Sequence, residues 1–545
     1  MSRRIVPFAL LVAVAGGALA LRLPRLDLRP LHGDEAVEAF RTGRLLAEGY
    51  YRYDPHEYHG PTLHYFSLPF LWLSGARSFA ESHESTYRLV CVAFGVGAIL
   101  LLALLADGLG WPATLVAAVL TALSPAMVFY NRYYIHESLL VFFTVAAIGC
   151  GWRYVASRRV VWAILTGASL ALMHATKETC IFAFAAMGLA LLAYSGWRRL
   201  WREPAGSSAL RTPHSALPLR HVAAAIAAGL AVCVLLFTSF FTNWRGPLDS
   251  VLTYVSYLAR SGGAGLHRHP WHYYLGLLAY ARYGPGIWFS EALILGLAAI
   301  GLGVAFLPPR TPHSALRTAR PASLIRFVAL YTLILTGIYA VVPYKTPWCM
   351  MSFLHGMIVL AGVGAAALVG AVPTHLLKGV AALALAAGAW QLGGQAWRAS
   401  LDRRWVADRR NPYVYAHTAP DLLKVAQRAE QIAEVHPRGR ELIIKIVAPD
   451  HDYWPLPFYL RRFPNTGYWP RHDPGTGQLV EMVPSEPDAD IVICSVGATE
   501  ELESRLRDSY FRETRGLRPA VHIVVYTRRE LWDAFIARQS QPAAP

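Results

Sequence analysis

"LHGDEAVEAF", residues 31–40, follows the first long apolar run of the chain and sets two adjacent carboxylates, Asp34 and Glu35, where the sequence would leave a lipid bilayer. An amphipathic helical pattern starts near Asp34, so one reading is that this carboxylate caps a helix N-terminus. The other is that the pair belongs to a reactive site at the membrane surface. What surrounds the stretch decides which reading is worth pursuing.

Outward from it, the chain is built for lipid. Of 545 residues 54% are hydrophobic and 16% charged, with a mean hydropathy of +0.33, whereas a soluble domain carries about 25% charged residues. The net charge of +16 comes with arginines clustered in short loops between apolar runs. That pattern assigns the charge to membrane topology and not to nucleic acid. The six cysteines are isolated from one another, with neither a CxxC metal pattern nor a disulfide framework.

Runs long enough to span fall near 5–21, 89–106, 112–130, 138–152, 160–175, 180–195, 222–241, 286–307, 327–343, 349–372 and 379–396, which makes eleven. The first reads as a retained anchor and not a signal peptide, because the polar segment after it makes sense only beside a bilayer. With the N-terminus cytoplasmic, the inner loops collect Arg153, Arg158 and Arg159, then Arg198, Arg199, Arg202, Arg211 and Arg220, then Arg310, Arg317, Arg320 and Arg326. Arg22, Arg25 and Arg29 run against this bias. Eleven spans would leave the C-terminus outside.

The expected fold class is therefore a polytopic α-helical membrane protein of about 11 transmembrane helices in the plasma membrane. Residues 1–398 form the membrane domain and 399–545 an exported soluble α/β domain. In the latter "ELIIKIVAP", "ADIVICS" and "VHIVVYT" read as buried strands, with helical patterns at 419–436 and 499–508. "RTPHSAL", repeated at 211–217 and 310–316, reads as an insertion tolerated in inner loops.

Chemistry would sit in the outer loops, of which 22–88 and 242–285 are large. The first returns through "YYRYDPHEYHGPTLHYF", carrying Asp54, His56, Glu57, His59 and His64 back to the surface of the "DE" pair, while "LHYFSLPFLWL" is placed in the interface. Other outer ends supply Arg132, His136 and Glu137 in "NRYYIHES", Lys177 and Glu178 in "HATKETC", and Tyr344 with Lys345 in "PYKTPW". Ionisable groups at such depth are costly unless satisfied, and several loops converging on one face indicate a site. Carboxylates there can take a proton from an acceptor or hold a divalent cation, and lysines or arginines can neutralise a phosphate leaving group. The aromatic residues of 242–285 suit sugars and head groups, although interface belts share that composition.

"HGDEAVEAF", "YDPHEYHGPTLHYF", "ESTYRL", "SPAMVFYNRYYIHESLL", "VPYKTPWCM" and "DYWPLPFYLRRFP", in this order, resemble the GT-C membrane glycosyltransferases. They are most similar to the protein O-mannosyltransferase and aminoarabinose transferase superfamily (family 39-like) and, within it, to a prokaryotic branch called flippase activity-associated proteins. The resemblance implies inverting transfer of a sugar from a polyprenyl-phosphate donor to a protein, lipid or glycan acceptor on the outer face. It implies Asp34 as general base, alone or with Glu35, and Glu137 as the second acid. Where aminoarabinose transferases carry Glu-Lys-Pro, this chain has His59, Gly60 and Pro61. The donor-phosphate cation must then come from Lys345, Lys177, Arg132 or Arg88, with Glu57, His59 and Tyr344 as further substrate contacts. A divalent ion on Asp34, Glu137 and His59 would be compatible with the superfamily, in which metal dependence varies. The competing expectation is a non-catalytic partner of a lipid-linked oligosaccharide flippase, or a transporter.

Overall fold

The apolar runs become helices. The computed structural model describes residues 2–56, 59–200, 218–261, 267–306, 322–450, 452–473, 478–506 and 508–540. The first run is α1 (Ser2–Arg22), and the loop after it folds into α2 (Gly33–Glu48) and α3 (Thr62–Leu73). There follow α4 (Glu84–Leu101), α5 (Trp111–Leu123), α6 (Glu137–Ser157), α7 (Val160–His174) and α8 (Cys180–Leu200). Beyond them come α9 (Leu219–Phe237), α10 (Gly246–Ser261), α11 (Ala292–Phe306), α12 (Ala322–Val341), α13 (Met351–Ala371) and α14 (His375–Leu401).

Among the described residues eight segments are long and apolar enough to cross a membrane. The apolar helices α5, α7 and α11 fall at three more of the eleven expected positions, but with 13, 15 and 15 residues they are shorter than a hydrocarbon core of about 30 Å requires. α3 has 12 residues and leaves Trp72 and Leu73 exposed. α11 and α13 meet backbone to backbone: a Cβ on Gly301 would lie 2.0 Å from the Leu360 carbonyl oxygen, and one on Gly364 2.0 Å from that of Leu297. Such close small-residue packing holds helices together where lipid removes the hydrophobic drive between them.

Two of the three arginines that break the topology rule, Arg22 and Arg29, have a structural explanation. Arg22 is fully buried and donates to the Ala122 and Thr121 carbonyls at 2.8 and 2.9 Å, capping the C-terminal end of α5. Arg29, also buried, donates to the Arg132 carbonyl at 2.7 Å and lies over the Tyr133 ring. Both serve packing, so neither reports on the side of the membrane.

α14 carries the chain to Leu401, and an α/β region follows. It comprises α15 (Leu422–Ala433), β1 (Ile444–Val447), β2 (Thr466–Trp469), β3 (Ile491–Ser495), α16 (Thr499–Leu506), β4 (Tyr510–Arg518), β5 (Val521–Arg528) and α17 (Arg529–Gln539). The sheet order is β2-β1-β3-β5-β4, with β1 parallel to β2 and β3, and β5 antiparallel to β3 and β4. The expected strands are β1, β3 and β5, and the expected helices are α15 and α16. β2 and β4 are additional and occupy the two edges. Both copies of "RTPHSAL", and Glu57, lie outside the described residues.

Candidate active site

The N-terminus of α2 is not capped by Asp34. The cap is His32, whose Nδ1 accepts the Asp34 backbone N–H at 3.1 Å, while Glu35 reaches back to accept the His32 N–H at 2.9 Å. Glu35 is fully buried and takes three further hydrogen bonds: two from Arg88, both at 2.7 Å, and one from the Tyr134 backbone N–H at 2.8 Å. Burial alone would raise its pKa, but the Arg88 guanidinium overrides it and holds the carboxyl at about 2. Arg88 also donates to the Leu26, Arg29 and Pro30 carbonyls, tying down the turn before α2. With its neighbour engaged inside, Asp34 is left with its side chain 58% exposed.

The return of the loop is pinned by backbone pairing. Gly60 N–H donates to the Thr176 carbonyl at 3.0 Å and Thr62 N–H to the Ala175 carbonyl at 3.1 Å. A Cβ on Gly60 would stand 2.0 Å from the Ala175 oxygen, so only glycine permits this approach. The pairing brings His59 Nδ1 to 2.7 Å from Glu178 Oε2 and leaves the neighbouring Lys177 ammonium in a buried ion pair with Glu137. Asp34, His59, Glu137 and Lys177 then line one cavity of about 230 Å³, together with Glu38, His136 and Trp348.

Four expected site residues are thus brought together, and others are not. Glu35 and Arg88 form an internal anchor with no free face toward a substrate. Arg132 is buried and donates to the Arg22, Pro24 and Arg25 carbonyls, an inner role. Lys345 is buried and its ammonium is turned onto the Val342 carbonyl. Tyr344, about half exposed, pairs with Arg268 across an antiparallel bridge. The expected cation trio of Asp34, Glu137 and His59 does not converge to ligand distance: Lys177 holds Glu137 and Glu178 holds His59. The group that does converge among the described residues is Glu38, His64 and His136. Of these Glu38 was absent from the sequence reading. Its place four residues after Asp34 on one helix face was the available signal.

The C-terminal region braces the same corner. Tyr459 accepts the Leu31 N–H at 2.8 Å and donates to Glu84 at 2.7 Å; Thr418 Oγ1 donates to the Leu31 carbonyl at 2.6 Å. Arg461 donates to the Ser82 carbonyl at 2.6 Å. The aromatic "DYWPLPFYLRRF" therefore packs on the first loop through Tyr459 and Arg461.

This architecture has known counterparts. The structure of ArnT from Cupriavidus metallidurans bound to undecaprenyl phosphate aligns over 95% of this chain and 98% of its own, with a TM-score of 0.63 and 17% identity. The chain has the GT-C fold. The apo state of the same ArnT gives the same coverage and TM-score at 18% identity. AglB from Archaeoglobus fulgidus, in complex with an inhibitory peptide and a dolichol-phosphate, is similar to a lesser degree, with 13% identity, a TM-score of 0.50, and coverage of 92% of this chain and 70% of that one. The family model for dolichyl-phosphate-mannose-protein mannosyltransferase matches residues 59–245, which include the pinned return, Glu137 and Lys177. No curated protein matches the sequence.

Proposed function

We propose that this GT-C protein is an inverting glycosyltransferase that moves a sugar from a polyprenyl-phosphate donor to an acceptor on the outer face of the membrane. The observation that carries the reading is the cavity in which the exposed Asp34 carboxylate shares one chamber with the buried Lys177–Glu137 pair. The family match and the undecaprenyl phosphate named with the ArnT structure support a lipid-phosphate donor.

Asp34 takes the proton of the acceptor group, whose heteroatom attacks the anomeric carbon as the carbon–oxygen bond to phosphate breaks. The electron pair stays with the phosphate oxygen, and a single displacement inverts the anomeric centre. Lys177, oriented by Glu137, neutralises the departing phosphate. It supplies from the facing segment the cation that Gly60 cannot carry. Stabilising charge where it develops is the larger effect, and the base adds about a hundredfold or more.

The test is consumption of labelled polyprenyl-phosphate sugars by the purified chain in liposomes, for the parent and Asp34→Asn. Turnover that disappears in the variant is the expected result. Equal turnover in both removes Asp34 as base, and absence of turnover with every donor leaves the scaffold role.

A further inference from the structure

The spanning helices enclose a second polar pocket beneath the chamber. Glu137 and Trp348 line the chamber itself. Thr144 on α6 stands seven residues beyond Glu137, about 10 Å along the helix, and His355 on α13 stands as many residues beyond Trp348. These two line a cavity of about 30 Å³ with Tyr331 of α12 and Ser352 of α13. The rest of its wall is leucine, isoleucine, valine and one glycine, Gly356.

Three of the polar groups lack a partner. Among the described residues the Tyr331 hydroxyl, Ser352 Oγ and His355 Nε2 make no hydrogen bond, although the three side chains are only 2%, 8% and 4% exposed. Hydroxyls elsewhere in the apolar helices satisfy themselves on the carbonyl four residues back: Thr144 donates to Leu140, Thr166 to Trp162 and Thr336 to Thr332, each at 2.7 Å. Ser352 does not take that bond. A polar group left unsatisfied in the hydrocarbon layer is costly, because lipid offers nothing in exchange. Three such groups around one cavity place their common partner inside it.

The lining sets the chemistry of that partner. Among the described residues no carboxylate, lysine or arginine lines the cavity, so nothing there would neutralise an ion. What the wall offers is two hydroxyls able to donate or accept, an imidazole nitrogen, and Thr144 Oγ1, which keeps lone pairs after donating to Leu140. A small neutral molecule that both donates and accepts matches this set. Water needs about 10–15 Å³ and two to four polar partners, and the cavity supplies both. Glycine at 356 keeps α12 and α13 close beside it, since a Cβ there would stand 2.4 Å from Thr332 Oγ1.

We propose that Tyr331, Ser352 and His355, with Thr144 as a further acceptor, bind a structural water inside the membrane domain. The water joins α12 to α13 and α6 beneath the chamber that Glu137 and Trp348 line. The site concerns binding and stands whether or not the chain transfers sugar.

Two measurements on the full chain in lipid nanodiscs test it. A high-resolution electron cryomicroscopy map of the parent is expected to show a density peak within about 3 Å of the Tyr331 hydroxyl, Ser352 Oγ and His355 Nε2. Thermal unfolding is then compared for the parent, Tyr331→Phe, Ser352→Ala and the double variant, all conservative enough to fold. If a water bridges the groups, each single variant melts a few degrees below the parent, and the double variant falls by less than the sum, because both changes act through one molecule. If the cavity is dry, removing a partnerless polar atom leaves the melting temperature unchanged or raises it. A map without the peak overturns the site, as do single variants that melt at or above the parent.

Discussion

The Arg88 guanidinium grips both carboxylate oxygens of Glu35 at 2.7 Å, with both side chains sealed from solvent. This pair is the pivot on which α2 and its exposed Asp34 are mounted. Replacing one partner leaves a buried charge alone, so Glu35→Gln is expected to lose about 3–5 kcal/mol of stability. The sign of its pH dependence follows from a folded pKa of about 2 against an ordinary 4.5. Its contribution, about 3 kcal/mol from that difference, is complete above the ordinary value and disappears as pH falls from 4.5 through 2. Thermal unfolding of parent and variant across that acid range checks this: the gap between them should close as pH falls.

How much of this was legible in the sequence varies with the physics involved. The spanning helices and the strands β1, β3 and β5 were readable because burial on most sides demands continuous apolar runs. The edge strands were not. β4 buries only Tyr510 and Leu517 along "YFRETRGLR", and β2 is four residues of "TGYW", so neither shows the run that marks a buried strand. At the site, the residue types at 34, 59, 137 and 177 were visible, but partners forty or more residues apart were not. Nothing local distinguishes the buried Glu35 from the exposed Asp34, and Arg88 and Arg132 could pass for phosphate ligands until their carbonyl partners were seen. Glu38 resembles any polar residue of an amphipathic helix until His64 and His136 are placed against it.

Lys177 and Lys345 separate the candidate phosphate ligands. Only Lys177 lines the chamber with Asp34, whereas Lys345 donates to the carbonyl of Val342 in its own chain turn. Lys177→Gln is expected to slow transfer by at least a hundredfold, the order reached when one preorganised charge contact is removed. Lys345→Gln should stay within about threefold. Initial rates at saturating donor for both variants decide between them, and the reverse order would move the phosphate to the 344–345 segment.

Gly60 offers a test of the departure from the Glu-Lys-Pro pattern. Restoring lysine by Gly60→Lys introduces a Cβ that would stand 2.0 Å from the Ala175 carbonyl oxygen. The return segment must then separate from residues 175–176, breaking the hydrogen bonds of Gly60 and Thr62. The expected outcome for Gly60→Lys, and equally for Gly60→Ala, is a loss of about 2 kcal/mol or more together with lower turnover. Measuring melting temperature and turnover in both variants checks this. Improved turnover in Gly60→Lys would show that the segment can reshape and take a lysine at its expected position.

Tyr459 and Leu31 link the C-terminal region to the turn that presents Asp34, so that region should act on rate as well as on stability. In Tyr459→Phe the Leu31 N–H loses its acceptor and Glu84 loses its donor. A lost neutral hydrogen bond costs about 1 kcal/mol, and one to a charged group somewhat more. The melting temperature should therefore fall by only a few degrees. Placement of Asp34 is more sensitive, because displacement of a reacting group by about 1 Å can cost about a hundredfold in rate. A drop in kcat larger than the stability change explains, with KM for the lipid donor unchanged, is the expected signature. Unchanged kcat would limit the Tyr459 contact to holding the two regions together.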